Sequence, residues 1–316
     1  MLAFAIGITS AASLKLALPN MKPFIAFCLT AALAAALPLS AQAPRKLKVY
    51  VSVDMEGIAG IVAGSQTSPS GANYEWGRRL MLAEANAAIE GAYQAGATEV
   101  VVNDSHGPQT NLKPDEIDRR VSLITGQPKP LGMAQGLDST FDAAIYIGYH
   151  AAGSTPDAVH GHTFSGALKT VRLNGREVGE YGLNAMVAGH FGVPVVFIAG
   201  DRAAVEMARE FIPTVEGLVV KDGIGTNAAR TMHPLAAREQ ITQGVRAALV
   251  KRIARPPVRL DSPITLEIEL DNLAHTDVVA LLPGIERVSG RVVRYRSADA
   301  LTIYKVARVI MALARD

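Results

Sequence analysis

Two carboxylates spaced two residues apart, Asp54 and Glu56, stand at the end of the apolar run Val49-Tyr50-Val51-Ser52-Val53. The run is rich in β-branched residues and is predicted to be a buried strand. Side chains at i and i+2 of an extended chain point the same way, so both acids should project together before the chain turns at Gly57. Like charges held that close repel unless a positive group lies between them, and a divalent cation is the simplest such group. Taken alone, Asp-x-Glu also fits a turn cap beside a solvated acid.

The placement of other polar residues favours the cation. A second apolar run, Glu99 to Asn103, leads into Asp104-Ser105-His106-Gly107, and a third, Ala143 to Tyr149, ends at His150. Glu180 comes after a hairpin signal, Asn174-Gly175, and opens a helical run. Ligands of open parallel sheets bind beyond the carboxyl ends of the strands. Three strands would therefore bring these residues to one edge of one sheet. Each has a plainer reading: a His after a strand as a turn residue, Glu180 as an acid favoured by a helix N-terminus. Together, Asp54, Glu56, His106, His150 and Glu180 outnumber the ligands of one tetrahedral zinc. They suit two ions about 3.5–4 Å apart sharing a carboxylate. The Gly-flanked segment 158–166 adds His160 and His162, one of them an acid–base candidate. His190, His233 and His275 lack such partners and read as structural.

The elements needed to position these residues are legible in outline. Tyr74 to Ala95 has the apolar spacing of a helix and ends at Gly96, so the first two strands and this helix form a βαβ unit with parallel strands. Pro194 to Ala199 reads as another buried strand, Leu218 to Val220 as a short one, and Pro234 to Val250 as a helix. Ser65 to Gly71 reads as a loop and Val121 to Ile124 as a short strand. Arg255-Pro256-Pro257 marks a boundary. Beyond it, Ile264 to Leu270 alternates like a half-exposed antiparallel strand, with Arg291 to Tyr295 as its partner and a closing helix from about Ala298 to Ala314. The predicted fold class is α/β: a mainly parallel sheet flanked by helices over residues 44–256, with a smaller C-terminal α+β subdomain or assembly region over 257–316.

Composition narrows the function classes. The 316 residues carry 31 basic and 29 acidic side chains, and aromatics make up 5%, which offers neither the charge nor the stacking surface of a nucleic-acid binder. Lys22, an apolar run from Phe24 to Leu37 and Ala41-Gln42-Ala43 have the layout of a secretory signal segment, residues 1–43, starting at Met1 or Met21. Its removal would leave no stable membrane span and predicts export to a periplasmic or extracellular space. The single cysteine, Cys28, lies in that segment, so metal ligands must come from His, Asp and Glu.

The segments Ser52-Val53-Asp54-Met55-Glu56-Gly57, Val102 to His106, Gly148-Tyr149-His150-Ala151, His162 to Gly166 and Gly179 to Ala185 resemble, in order, the successive motifs of the DppA-type D-aminopeptidases. The resemblance runs from about Lys46 through the C-terminal helix. It implies a dinuclear zinc peptidase in which Asp54 bridges two ions, Glu56 and His106 serve one, and His150 and Glu180 serve the other. His162 corresponds to the catalytic histidine, with His160 two residues away as its alternative. Two zinc ions per subunit, a short peptide substrate, release of N-terminal D-residues and a ring-shaped homodecamer are also implied by the resemblance alone. Asp104, Ser105 and Asn184 are candidates for orienting the ligating rings. The competing classes are another metallohydrolase (an amidase, or a phosphoesterase, for which Lys169, Arg172 or Arg202 would have to reach the site) and a non-catalytic metal- or peptide-binding protein.

Overall fold

The computed structural model describes residues 46–314, so the expected leader over residues 1–43, with Cys28, lies outside the described residues. In chain order the elements are β1 (Leu47–Val53), the one-turn helix α1 (Gly64–Thr67), α2 (Tyr74–Gln94), β2 (Ala97–Asp104), β3 (Ser122–Ile124), β4 (Ala143–Tyr149), β5 (Leu168–Leu173) and β6 (Arg176–Glu177). They continue with α3 (Glu180–His190), β7 (Val195–Asp201), α4 (Arg202–Phe211), β8 (Glu216–Gly225), β9 (Ala228–Thr231) and α5 (Pro234–Val250). The chain closes with β10 (Ile264–Leu270), α6 (Leu273–Val279), β11 (Glu286–Arg287), β12 (Val292–Ser297) and α7 (Ala300–Leu313).

Seven strands form the central sheet in the order β3-β2-β1-β4-β7-β8-β9. All pairs are parallel except β8–β9. The order reverses at β1: the chain adds β2 and β3 on one side, then β4, β7 and β8 on the other. A reversal of this kind opens a crevice at the carboxyl ends of the two central strands. Both faces of β1 are covered. Val49, Val51 and Val53 pack into one core with Met81, Ala88, Ile241 and Val245 of α2 and α5. Tyr50 packs into the other, with Leu183, Ala208 and Tyr304 of α3, α4 and α7. Burial on both faces is why these strands read as continuous apolar runs.

A second, antiparallel sheet has the order β11-β12-β10-β5-β6. The Asn174-Gly175 turn joins β5 to β6 with both residues at positive φ, 48° and 81°, the geometry of a two-residue hairpin. Along β10, Ile264, Leu266, Ile268 and Leu270 are buried while the residues between them are half-exposed, and the buried row packs with Ile303, Ala307 and Ile310 of α7. This sheet takes β5 and β6 from before residue 256 and β10, β11 and β12 from after it, so the C-terminal segment completes a sheet begun within the larger segment.

Three features differ from the expectations. The expected loop from Ser65 contains α1, closed by the Gln66 side chain, whose Oε1 accepts the backbone N–H of Val62 and of Ala63, each at 2.8 Å. β8 extends well past Val220 and pairs with β9, because the charges of Lys221 and Asp222 interrupt the apolar pattern without ending the strand. α6 and β11 were not expected. Among the described residues no helix is long and apolar enough to cross a membrane.

Candidate metal centre

The ends of β1, β2 and β4 are tied to one another past the last ladder pairs. The Asp54 N–H donates to the Ile147 carbonyl, Gly57 N–H to Gly148, and Ser105 N–H to Val53, each at 2.8 Å. The approach leaves no space for side chains. A Cβ on Gly148, which has φ +72°, would lie 2.2 Å from the Asp54 carbonyl oxygen, and one on Gly57 would lie 2.0 Å from that of Tyr149. Glycine at both places lets the segment carrying Asp54 and Glu56 lie directly against the segment carrying His150. The two acids face one cavity, as the i, i+2 spacing predicts, although the strand itself stops at Val53.

His106, His150, Asp54, Glu56 and Glu180 are all buried, each less than 7% exposed. His106 Nδ1 lies 2.9 Å from Glu56 Oε2 and 3.3 Å from Asp54 Oδ1. His150 Nε2 lies 3.5 Å from Asp54 Oδ2 and 3.4 Å from Glu180 Oε2. His162, the more open ring, stacks on His150 with centroids 4.2 Å apart and places Nε2 3.9 Å from Glu180 Oε1. Ligand atoms of Asp54, Glu56 and His150 lie within 4.8 Å of one another, and so do those of His150, His162 and Glu180. The two groups share His150.

Each ring is oriented by the main chain. His106 Nε2 donates to the Thr67 carbonyl at the end of α1 (2.8 Å), His150 Nδ1 to the Ala151 carbonyl (2.9 Å) and His162 Nδ1 to the His160 carbonyl (2.7 Å). A carbonyl only accepts, so in each ring the anchored nitrogen carries the hydrogen. In a neutral imidazole the other nitrogen then presents a lone pair toward carboxylates that also present lone pairs. His150 Nε2 and Asp54 Oδ2 are buried and have no hydrogen-bond partner. Only a cation or an added proton reconciles acceptors arranged this way, and a metal held by imidazole nitrogen and carboxylate oxygen fits both the atoms and their orientation.

The electrostatics agree with this geometry. Burial raises Asp54 well above the usual carboxylate range, and Glu56 and Glu180 add to the effect. Burial also acts to raise Glu56 and Glu180, but His106 and His150 outweigh it. Both are depressed, Glu180 to about 2. The imidazoles shift in the opposite direction. Burial lowers them, but the carboxylates override it, so His106 rises well above its ordinary value and His150 to about 10. With no metal bound, protons on these rings supply the positive charge, and an incoming cation would displace them.

Residues 47–309 match the D-aminopeptidase family. The chain belongs to that family. A D-aminopeptidase of Bacillus subtilis (strain 168) is 39% identical over 270 residues, covering 85% of this chain and 98% of the relative. The solved structure of the zinc-dependent D-aminopeptidase DppA from Bacillus subtilis, described as a self-compartmentalizing protease, superposes with a TM-score of 0.83 at 38% identity, covering 85% of this chain and 98% of that one.

Within this member of the family, the five predicted ligands and His162 meet at one place. His160 differs: its carbonyl anchors His162, and among the described residues its ring makes no ion pair with the three carboxylates. His160 and Phe164 both have positive φ, 51° and 64°, an uncommon conformation outside glycine. The loop they shape lets the Phe164 N–H donate to Glu180 Oε1 at 2.7 Å. Among the described residues, none of the three residues expected to orient rings bonds to an imidazole directly. Asp104 accepts from Asn111 and Leu112 N–H (2.5 and 2.7 Å) and from the Asn111 amide (2.8 Å), which folds the loop after His106. Ser105 pairs with Ser52 (2.7 Å), and Asn184 donates to the Tyr149 hydroxyl (2.9 Å) and accepts from that of Tyr304 (3.0 Å). The rings are held by backbone carbonyls, which a sequence does not display. Sequence reasoning also missed Lys221. Its buried ammonium donates to the carbonyls of Glu56, Ile58 (3.1 Å) and Ile61 (2.6 Å), which fastens the segment after the acids.

Proposed function

We propose that this protein is an exported, dinuclear zinc-dependent D-aminopeptidase that removes N-terminal D-residues from short peptides. One observation carries the reading: three carbonyl-anchored imidazoles turn their free nitrogens toward three buried carboxylates, on a chain of the D-aminopeptidase family. Asp54 would hold both ions, Glu56 and His106 one, and His150 and Glu180 the other. Bound zinc supplies Lewis acidity toward the scissile carbonyl and lowers the pKa of a water molecule toward ~7.

The chain's own residues do the rest. His162 keeps its Nδ1 hydrogen on the His160 carbonyl, which leaves the Nε2 lone pair on the cavity side to take up a proton and then to pass it to the leaving amine or, while it holds it, to donate to the developing oxyanion. Its partial exposure suits that role better than a ligand's. Glu180 is held by the Phe164 N–H and by its place at the start of α3, so its carboxylate keeps its position as charge moves nearby. The segment over residues 1–43 supports export. The self-compartmentalizing relative supports a homo-oligomer, for which we infer the decamer, with the C-terminal segment as an assembly surface.

A panel of D- and L-aminoacyl p-nitroanilides with the zinc-loaded protein, run beside p-nitrophenyl phosphate, tests the reading. Turnover of D-anilides well above L-anilides, with none of the phosphate ester, is expected. Phosphate-ester turnover without anilide turnover would overturn it.

A further inference from the structure

A groove adjoins the metal centre, and its charge pattern identifies what it receives. Gln127 and Arg308 line both the cavity holding the carboxylates and a neighbouring groove of about 430 Å³. One wall of the groove is the prolines at 128 and 130; the other is the face of α7 carrying Lys305, Arg308 and Val309, positions three and four apart that share one side of a helix. The lining is apolar except for Gln127 and its cations.

Two of those cations, Lys305 and Arg308, lack a partner carboxylate among the described residues. On the second sheet, Arg287, Arg291, Arg294 and Arg296 each pair with a carboxylate at 2.5–3.2 Å. Among the described residues, no carboxylate lies within ion-pair distance of Arg308 or Lys305. Arg308 instead rests over the Phe164 ring, 5.4 Å from its centroid, with a sulfur contact to Met311. Phe164 is the residue whose N–H fixes Glu180, so the guanidinium is held beside the metal centre through one intervening ring. Lys129 is different: its ammonium is committed to Asn103 Oδ1 (2.5 Å) and the Asp104 carbonyl (2.7 Å).

We propose that Arg308, assisted by Lys305, binds the C-terminal carboxylate of the substrate in this groove while the N-terminal residue lies at the metals. The enzyme then selects short peptides with a free carboxyl end and an apolar last residue. A guanidinium suits this role because it offers a carboxylate two parallel hydrogen bonds. The inference rests on the peptidase reading and adds the substrate class. It gives short peptides a reason to be preferred that is local to one subunit.

The test compares D-alanyl-glycyl-leucine with its C-terminal amide on the zinc-loaded protein. The acid should have kcat/KM at least about 10-fold higher, mostly through KM, the scale of one charge-assisted contact. Glycyl-leucine should inhibit at least about 10-fold more tightly than glycyl-leucinamide, a readout that needs no turnover of the probe. Arg308→Met should bring the acid-to-amide ratio close to one, and Arg308→Lys should restore part of it. Equal turnover of acid and amide by the unmodified protein overturns the groove assignment and leaves the peptidase reading intact. Turnover of neither peptide overturns both. A wild-type ratio in Arg308→Met together with an altered oligomeric state also overturns the assignment, and would make the groove a contact between copies. The ratio in the unmodified protein decides even if that variant does not fold.

Discussion

The same residue types meet in two regions with opposite outcomes. On the antiparallel sheet, Glu267, Glu269 and Glu286 of β10 and β11 are matched by Arg291, Arg294 and Arg296 at 2.5–3.2 Å, at or near the surface. At the crevice of the parallel sheet, Asp54, Glu56 and Glu180 are buried, and no Lys or Arg side chain pairs with them among the described residues. The first set is complete as folded, solvated, and contributes little to stability. The second has no permanently charged partner: His106 and His150 offset its desolvation only by carrying protons or by sharing a bound cation with it. Charge alone does not identify a site; buried carboxylates faced by imidazoles and by no fixed cation do.

The sharpest break of that contrast is to delete ligands. Asp54→Ala and Glu180→Ala should lose bound zinc and lower turnover by about 10³-fold or more, as expected when several kcal/mol of transition-state stabilisation go with the metal. Full metal occupancy with unchanged rates in both would end the proposal. Next comes His162, the proposed proton carrier. His162→Ala should retain metal by elemental analysis while turnover falls by roughly 10²-fold; should His160→Ala show that phenotype instead, the two roles are exchanged.

A smaller effect distinguishes proton from metal as the positive partner. In metal-free protein, His150 titrates near 10 folded against 6.5 for the free side chain. A raised folded pKa gives stability that is complete below 6.5 and is lost as pH rises through about 10. Glu180, depressed to about 2 from 4.5, gives stability present above 4.5 and lost as pH falls through about 2. The melting temperature of metal-free protein should therefore decline between about pH 6.5 and 10. The zinc-loaded protein should lack that decline, because metal has replaced the protons. The same slope in both forms would refute this picture. The smallest effect belongs to the other region: Glu286→Ala should leave turnover unchanged and move the melting temperature by no more than about 2 °C.

Much of the centre was legible because parallel strands all deliver their C-terminal residues to one edge, so a carboxylate or imidazole just past an apolar run is already located to within a turn. Asp54, Glu56, His106 and His150 came from that rule, and Glu180 from a helix start. The fold was legible where burial is two-sided, as in β1, β2 and β4, or cleanly alternating, as in β10. Legibility failed where backbone atoms act. Thr67 contributes only its carbonyl, on a helical turn closed by Gln66, within a stretch whose Ser, Thr, Pro and Gly content reads as loop. Lys221 reads as the end of a strand, yet it is buried because three carbonyls need its ammonium. Arg308 is remote in sequence from every motif, and only the packing of α7 brings it to the cavity.

The carbonyl anchors on His106, His150 and His162 carry a consequence for altering the enzyme. A peptide oxygen cannot be exchanged by a codon change, so the tilt and tautomer of these imidazoles are inherited from the scaffold. Attempts to retune metal preference by mutating neighbours of the rings should therefore accomplish little, and productive variation should lie in the acids or in the loops whose main chain supplies the anchors.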